Sequence, residues 1–310
     1  MCLVSLLASA CGGSSGADPG SSTAPSTPAP IVTAAGPVPE VEGGFGETPK
    51  VTIPSETPAD ALVSKTLVTG TGPVVKAGDL LVVNYLGETW DDGNVFDSSF
   101  DRGQPTSFPI GVGKVIPGWD AALVGQTVGS RVVMAIPPSL GYGEAGQPDA
   151  KISGDDTLVF VVDILGAYAP DAIGTSTPTD ADLSGLPTVT GLPGTKPTLT
   201  VPAGTKPPKE VTTVVLAEGD GPKVTAGSFV VVQYEAVTWN GNALGSTWSA
   251  GQPQGVPVGL AAAPTPFDEL VGLRVGSRVL LLVPAEPSGD AAVDSTAVVV
   301  DIVDSLPPTS

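Results

Sequence analysis

The sequence predicts an α+β chain of two tandem units, each a curled antiparallel β-sheet around one short α-helix. Three observations predict it. Forty Gly and 33 Pro among 310 residues are too many for helical bundles and point to strands and turns. The apolar, β-branched runs Leu80–Leu86, Arg131–Ile136 and Thr157–Leu165 are short and end at Gly, Pro or Asp, as strands do. Finally, most of the chain repeats itself.

The repeat is legible in ordered matches. Gly72-Pro73 recurs as Gly221-Pro222, Val82-Val83-Asn84-Tyr85 as Val231-Val232-Gln233-Tyr234, and Gly103-Gln104-Pro105 as Gly251-Gln252-Pro253. The pentapeptide Val128-Gly129-Ser130-Arg131-Val132 returns unchanged at 275–279, and Val161-Val162-Asp163-Ile164 returns as Val299-Val300-Asp301-Ile302. The offset falls from 149 to 138 residues, and nine of the lost residues lie between the pentapeptide and the last strand. In the first unit that interval holds Gly141-Tyr142-Gly143.

The elements follow in order. Residues 1–10 are apolar, and small residues then precede Cys11 and a Gly/Ser/Pro-rich stretch, which resembles a bacterial lipoprotein signal. That resemblance implies a lipidated Cys11 as the mature N-terminus and an extracytoplasmic, membrane-anchored protein. The apolar run is short and lacks a preceding Lys or Arg, so the true start is expected upstream. Residues 11–42 read as a flexible tether. The first unit spans 43–168. A second Ser/Thr/Pro-rich stretch, 169–191, reads as a linker, and the second unit spans 192–306. One helix is expected in the first unit, starting near Pro117, where proline is tolerated, and running to Gly125.

Composition excludes several chemistries. With 13 Lys+Arg against 32 Asp+Glu, the net charge is −19, so the clustered cations that neutralise nucleic-acid phosphates are lacking. There is no His, and the two Cys are Cys2 and Cys11. The folded units therefore have no His-dependent triad, His-ligated zinc, disulfide or Cys nucleophile. Neither metal nor cofactor is expected. Two local patterns are accidental: Gly141-Tyr-Gly-Glu-Ala-Gly146 has dinucleotide spacing but is flanked by prolines, and the carboxylates from Asp97 to Asp101 lack the glutamate that closes a calcium loop.

The residues that suggest a site are Phe96-Asp97, Val115-Ile116-Pro117-Gly118-Trp119 and Tyr142. They describe an apolar cup with one acid and one phenol at its rim, suited to gripping and desolvating a substrate rather than attacking it. Taken singly, such aromatics are more often core, and Asp97 more often a turn or cap residue. The ordered set reverses that weighting. Through Gly72-Pro73, Val83-Asn84-Tyr85, Phe96-Asp97-Ser98-Ser99, Val115 to Trp119, Ile136-Pro137, Gly141-Tyr142-Gly143 and Leu158-Val159-Phe160, the first unit resembles the FKBP-type peptidyl-prolyl isomerases.

The resemblance implies a catalytic set of Phe96, Asp97, Ile116, Trp119 and Tyr142, and substrate-binding residues Tyr85, Phe108, Val115, Ile152 and Phe160. In it Trp119 is the floor under a prolyl ring, Phe96, Phe108 and Phe160 are walls, and the Ile116 N–H holds a substrate carbonyl. Proline-containing unfolded or secreted polypeptides are the implied partners, with macrolides as ligands. Thr106, Leu140 and Gln147 depart from common family residues. In the second unit Leu244, Gly245 and Val256 replace Phe96, Asp97 and Phe108, Phe267 falls near the place of Trp119, and no Tyr matches Tyr142. The expectation is a prolyl isomerase in the first unit and a degenerate second unit. The competing expectation is a non-catalytic module that holds unfolded or proline-rich segments.

Overall fold

The computed structural model describes residues 34–285, 287–288, 291–292 and 294–308. The expected signal segment, Cys11 and the tether up to residue 33 lie outside the described residues. Residues 34–42, expected as tether, are placed: Ala34 and Val38 pack against a buried cluster containing Trp90 and Val159.

The chain begins with a hairpin of β1 (Glu40–Glu42) and β2 (Lys50–Thr52). The first sheet follows: β3 (Val63–Val68), β4 (Leu80–Thr89), β5 (Val95–Ser98), β6 (Thr106–Pro109), β7 (Arg131–Ile136) and β8 (Leu158–Tyr168). Its order is β3-β7-β8-β4-β5 with β6 also on β4, and all pairings are antiparallel. Every residue of β4 is buried, because both faces of the sheet are covered. Alternation sends Leu81, Val83 and Tyr85 into the core on one face, and Leu80 and Val82 into a cluster on the other.

The first unit has two helices, of which α2 lies on the first face. The short α1 (Ser99–Arg102) starts at Ser98, whose hydroxyl accepts from the Asp101 N–H at 3.1 Å, and ends at left-handed Gly103. The helix expected from Pro117 is α2 (Pro117–Leu123), two residues shorter than expected because Val124 turns to extended backbone. A Cβ at Gly118 would stand 2.5 Å from the Ile136 side chain, so glycine is what lets α2 seat directly on β7.

The segment 169–191 is not a free linker. Within it, β9 (Ser176–Pro178) adds an edge strand to the second sheet, and β10 (Thr188–Thr190) forms a hairpin with β11 (Thr198–Thr200). An edge position tolerates proline, since no ladder N–H is lost on its open side. After it come β12 (Thr212–Gly219), β13 (Phe229–Thr238), β14 (Ala243–Ser246), α3 (Thr247–Ala250), β15 (Gln254–Pro257), β16 (Arg278–Val283), the small hairpin β17 (Pro287–Ser288) and β18 (Ala291–Ala292), and β19 (Thr296–Leu306). The order β14-β13-β19-β16-β12, with β15 on β13, is that of the first sheet strand for strand. The expected helix is replaced here by a 3-10 turn, Pro266–Leu270, with a Thr265–Asp268 capping box.

Each hairpin covers the outer face of its sheet and is fastened by a buried ion pair. Arg131 and Asp163 are both 0% exposed. Arg131 Nε and Nη2 donate to the two Asp163 oxygens at 2.6 and 2.7 Å, while Nη1 and Nη2 donate to the carbonyls of Gly43 and Glu47 at 2.8 and 2.6 Å. Asp163 also accepts the Gly46 N–H at 2.7 Å. In the second sheet Arg278 grips Asp301 and the carbonyls of Leu192 and Thr195 in the same way. This explains the unchanged pentapeptide: its Arg is the clasp, and its Ser hydroxyl accepts the N–H of Gly70 in one copy and Gly219 in the other, at 2.9 Å.

The two sheets share a buried cluster in which Leu80 and Val82 join Phe229, Val231 and Val303. The Tyr168 hydroxyl donates to Asp304 at 2.7 Å, and Gln233 donates to the Pro170 carbonyl at 2.8 Å. Burial, reinforced by the Asp304 charge, pushes the Tyr168 phenol well above its ordinary pKa, so it stays a donor.

Arg131→Met is expected to destabilise the full chain by about 3–5 kcal/mol, because it strands the Asp163 carboxylate. The double variant Arg131→Met/Asp163→Leu should recover most of that loss. Urea unfolding of the three proteins checks both statements.

Candidate active site

The site is built on Trp119. Pro117 starts α2, so the indole projects from the first helical turn into the concavity of the first sheet. It is 4% exposed and is met edge-on by Phe160, Tyr85 and Phe108, with ring centroids 5.2, 5.4 and 5.6 Å away. Phe96 completes the wall against Phe160 at 5.5 Å. The approach of these two rings depends on Gly87, where a Cβ would lie 2.7 Å from both. The second sheet has Ala236 at the same register. Its partners there are Gly245 and Val298, where the first sheet has Asp97 and Phe160.

Above this floor is a cavity of about 600 Å³ lined by Tyr85, Phe96, Asp97, Phe108, Val115, Ile116, Trp119, Tyr142 and Phe160. Nine of the ten residues expected in the pocket are thus brought together. Ile152 is not among them. It is 3% exposed, packs in the same buried cluster as Tyr85, Trp119 and Phe160, and its backbone pairs with Gln147 to close the loop after Tyr142.

Gly113, Lys114 and Ala150, which sequence reasoning passed over, also line the cavity, as does Gln147, noted there only as a departure from common family residues. The segment carrying Gly113 and Lys114 is held by Asp120, whose carboxylate accepts the N–H groups of Gly111 and Gly113 at 2.6 and 2.8 Å. Asp268 does the same for Gly259 in the second sheet. That aligned pair fixes Phe267 as the counterpart of Trp119, packed edge-on against Tyr234 at 6.2 Å.

The acid at the rim is not free. Asp97 accepts from the Tyr85 hydroxyl and from Arg102 Nη1, and Arg102 Nη2 donates to Tyr85 Oη at 3.3 Å. Arg102 follows Asp97 by five residues across α1, a spacing that could have flagged the pair. Burial and the Asp97 hydrogen bond push the Tyr85 phenol up to about 12. Tyr142 stands at the opposite rim, 39% exposed, and partial burial together with the Asp97 charge raises its pKa as well. The rim is therefore a fixed hydrogen-bonding frame around an apolar well, and both of its phenols stay protonated near neutrality. Among the described residues no cluster of His, Cys, Asp and Glu could hold a metal.

Comparison with known proteins agrees with this geometry. The profile of the FKBP-type peptidyl-prolyl cis-trans isomerase family matches residues 72–165. An FK506-binding protein of Streptomyces anulatus is 40% identical over 119 residues, 38% of this chain and 96% of the relative. The FK506-binding protein 2 of Dictyostelium discoideum is 50% identical over 91 residues, 29% of this chain and 67% of the relative. The crystal structure of FkpA from Escherichia coli is similar over 34% of this chain and 48% of that one, at 42% identity and a TM-score of 0.32. With an aromatic cup of this composition and a relative matched over nearly its whole length, the chain belongs to the FKBP-type peptidyl-prolyl cis-trans isomerase family.

Proposed function

We propose that the cup of the first sheet catalyses cis–trans isomerisation of peptide bonds before proline, assisting the folding of polypeptides at the outer face of a bacterial membrane. The observation that carries this reading is the closed aromatic floor, Trp119 met edge-on by Tyr85, Phe108 and Phe160.

The chemistry needs no more than this. Rotation about a peptide bond faces a barrier of about 18–20 kcal/mol from its partial double-bond character. The planar amide is more charge-separated than the twisted one. An apolar well therefore penalises the ground state more than the transition state. Each ~1.4 kcal/mol of that preference is tenfold in rate. In this reading the prolyl ring rests on Trp119 between Phe96, Phe108 and Phe160, and the Ile116 N–H holds a substrate carbonyl. Tyr142 and the Tyr85–Asp97–Arg102 frame orient the peptide at the rim. The same well suits macrolides of the kind these isomerases bind.

The second sheet is read as a degenerate copy of the same domain in tandem. Its strand order and Arg278–Asp301 clasp support common ancestry. Gly245 in place of Asp97, exposed Leu244 in place of Phe96, and the small hairpin β17–β18 in place of the Tyr142 loop support a loss of catalysis. A role in holding client chains follows for that half. Anchoring through a lipid on Cys11, with the segment after it as a tether, supplies the location. Firm anchoring takes two or more acyl chains.

Four outcomes are expected. Because Tyr85 titrates only near 12, kcat/KM on a prolyl peptide should be flat from about pH 6 to about pH 9. Trp119→Leu should lower kcat/KM about tenfold or more, and Asp97→Asn should cost less, as read by exchange NMR. A Trp119→Leu/Phe160→Ala chain should fall to the uncatalysed rate; activity remaining there would belong to the second sheet and refute its degeneracy. Cell fractionation should find the Cys11→Ser protein released from membranes.

A further inference from the structure

A second cavity lies on the other side of the sheet from the cup. Since a Cβ at Gly87 would point at Phe96 and Phe160, its neighbour Glu88 on β4 points the opposite way, under the segment 51–58 that follows the first hairpin. There it lines a cavity of about 580 Å³ with Ile53, Pro54, Glu56, Trp90 and Asp92.

Glu88 is out of place for a structural residue. It is 6% exposed, and its Oε1 has no hydrogen-bond partner among the described residues. Leaving a buried polar group unpaired is costly. The fold does not require it. Glu88 pairs with Val159 and Val95, and the same register in the second sheet holds Val237, paired with Ala297 and Ala243 and packed into an apolar cluster. The frame thus accepts a hydrophobic residue where the first sheet buries a carboxyl group.

The surroundings specify a partner. Glu56, Asp91 and Asp92 stand exposed at the mouth, and no Lys or Arg lines the cavity. The Thr89 hydroxyl and the Asn94 N–H hold Asp92 below the usual carboxylate range, so it is charged. Ile53, Pro54 and Pro58 give an apolar wall beside these acids. Acid at the mouth and floor with an apolar wall between them fits a cation carried on a short hydrocarbon chain. We propose that this cavity binds an alkylammonium group, its head paired with the Glu88 carboxylate and its chain lying along Ile53, Pro54 and Pro58.

The source is a lysine side chain of a polypeptide or a free amine, and n-butylammonium and N-acetyl-lysine amide represent the two. Burial alone pushes the Glu88 carboxyl up to about 7, with Glu56, Asp91 and Asp92 the titratable groups facing it. Binding therefore favours the ionised form and releases a proton. Affinity should rise about tenfold from about pH 6 to about pH 8.

Titration calorimetry of the full chain with each probe, in buffers of different ionisation enthalpy, tests this. The expected result is saturable binding, proton release near neutrality, and at least tenfold weakening in both Glu88→Gln and Glu88→Val. The exposed-charge control Asp220→Asn should leave affinity unchanged. Thermal unfolding should find Glu88→Val at least as stable as the parent at alkaline pH, which shows that lost binding is not lost folding. Binding of both probes admits a polypeptide lysine, and binding of butylammonium alone assigns the site to a free amine; either supports the proposal. No saturable binding of either probe, undiminished binding in the Glu88 variants, or equal weakening by Asp220→Asn overturns it.

Discussion

The buried ion pair between Arg131 and Asp163 is the constraint on which the first sheet depends. A guanidinium with no exposure persists only if its donors and its charge are met, and here one carboxylate and two hairpin carbonyls meet them. Because those carbonyls belong to residues about 85 positions away in sequence, the pair ties the hairpin β1–β2 onto the outer face. With that face closed by the hairpin and, over Leu80 and Val82, by the second sheet, β4 is buried on both sides, and its inner face is free to carry Tyr85 and Gly87 beneath the cup. Arg278 and Asp301 impose the same arrangement on the second sheet. The two sheets therefore share a frame while differing in what they enclose.

The difference between the two concavities is one of ring volume. Gly87 admits Phe96 and Phe160 at contact distance, and Trp119 fills the space they define. Ala236 goes with Leu244, Val298 and Phe267, a smaller set that cannot build the same floor. The one-residue shortening between Asp268 and Gly272, compared with Asp120 and Gly125, reduces the helix to a 3-10 turn. The aromatic floor thus rests on a few positions, and the same frame is built without them in the second sheet.

Much of this was legible in the sequence. Strands β4, β7 and β8 are β-branched runs between turn residues, and α2 begins at a proline where a helix can start. The cup was legible through its ordered aromatic residues. What the sequence concealed has physical reasons. The hairpins β1–β2 and β10–β11 are three-residue strands with a single apolar residue flanked by Thr, Glu or Lys, too short for any period to register. Their match, Val41-Glu-Gly43 with Val189-Thr-Gly191, was hidden in stretches that read as tether and linker. An Arg inside an apolar strand, twice, with an Asp in the last strand of each copy, was the available sign of the clasp. The path of the loop around Ile152 was hidden because Gly146 and Gly154 fold it back on itself, and such a reversal has no signature at the level of residue type.

The central claim is that an apolar cup accelerates amide rotation with no proton transfer. Exchange NMR on a proline-containing peptide with the full chain, in H2O and in D2O, tests it most directly. The account predicts cis–trans exchange well above the uncatalysed rate and the same in both solvents. Exchange at the uncatalysed rate, or a rate that falls about twofold or more in D2O as general acid–base catalysis would require, would contradict it.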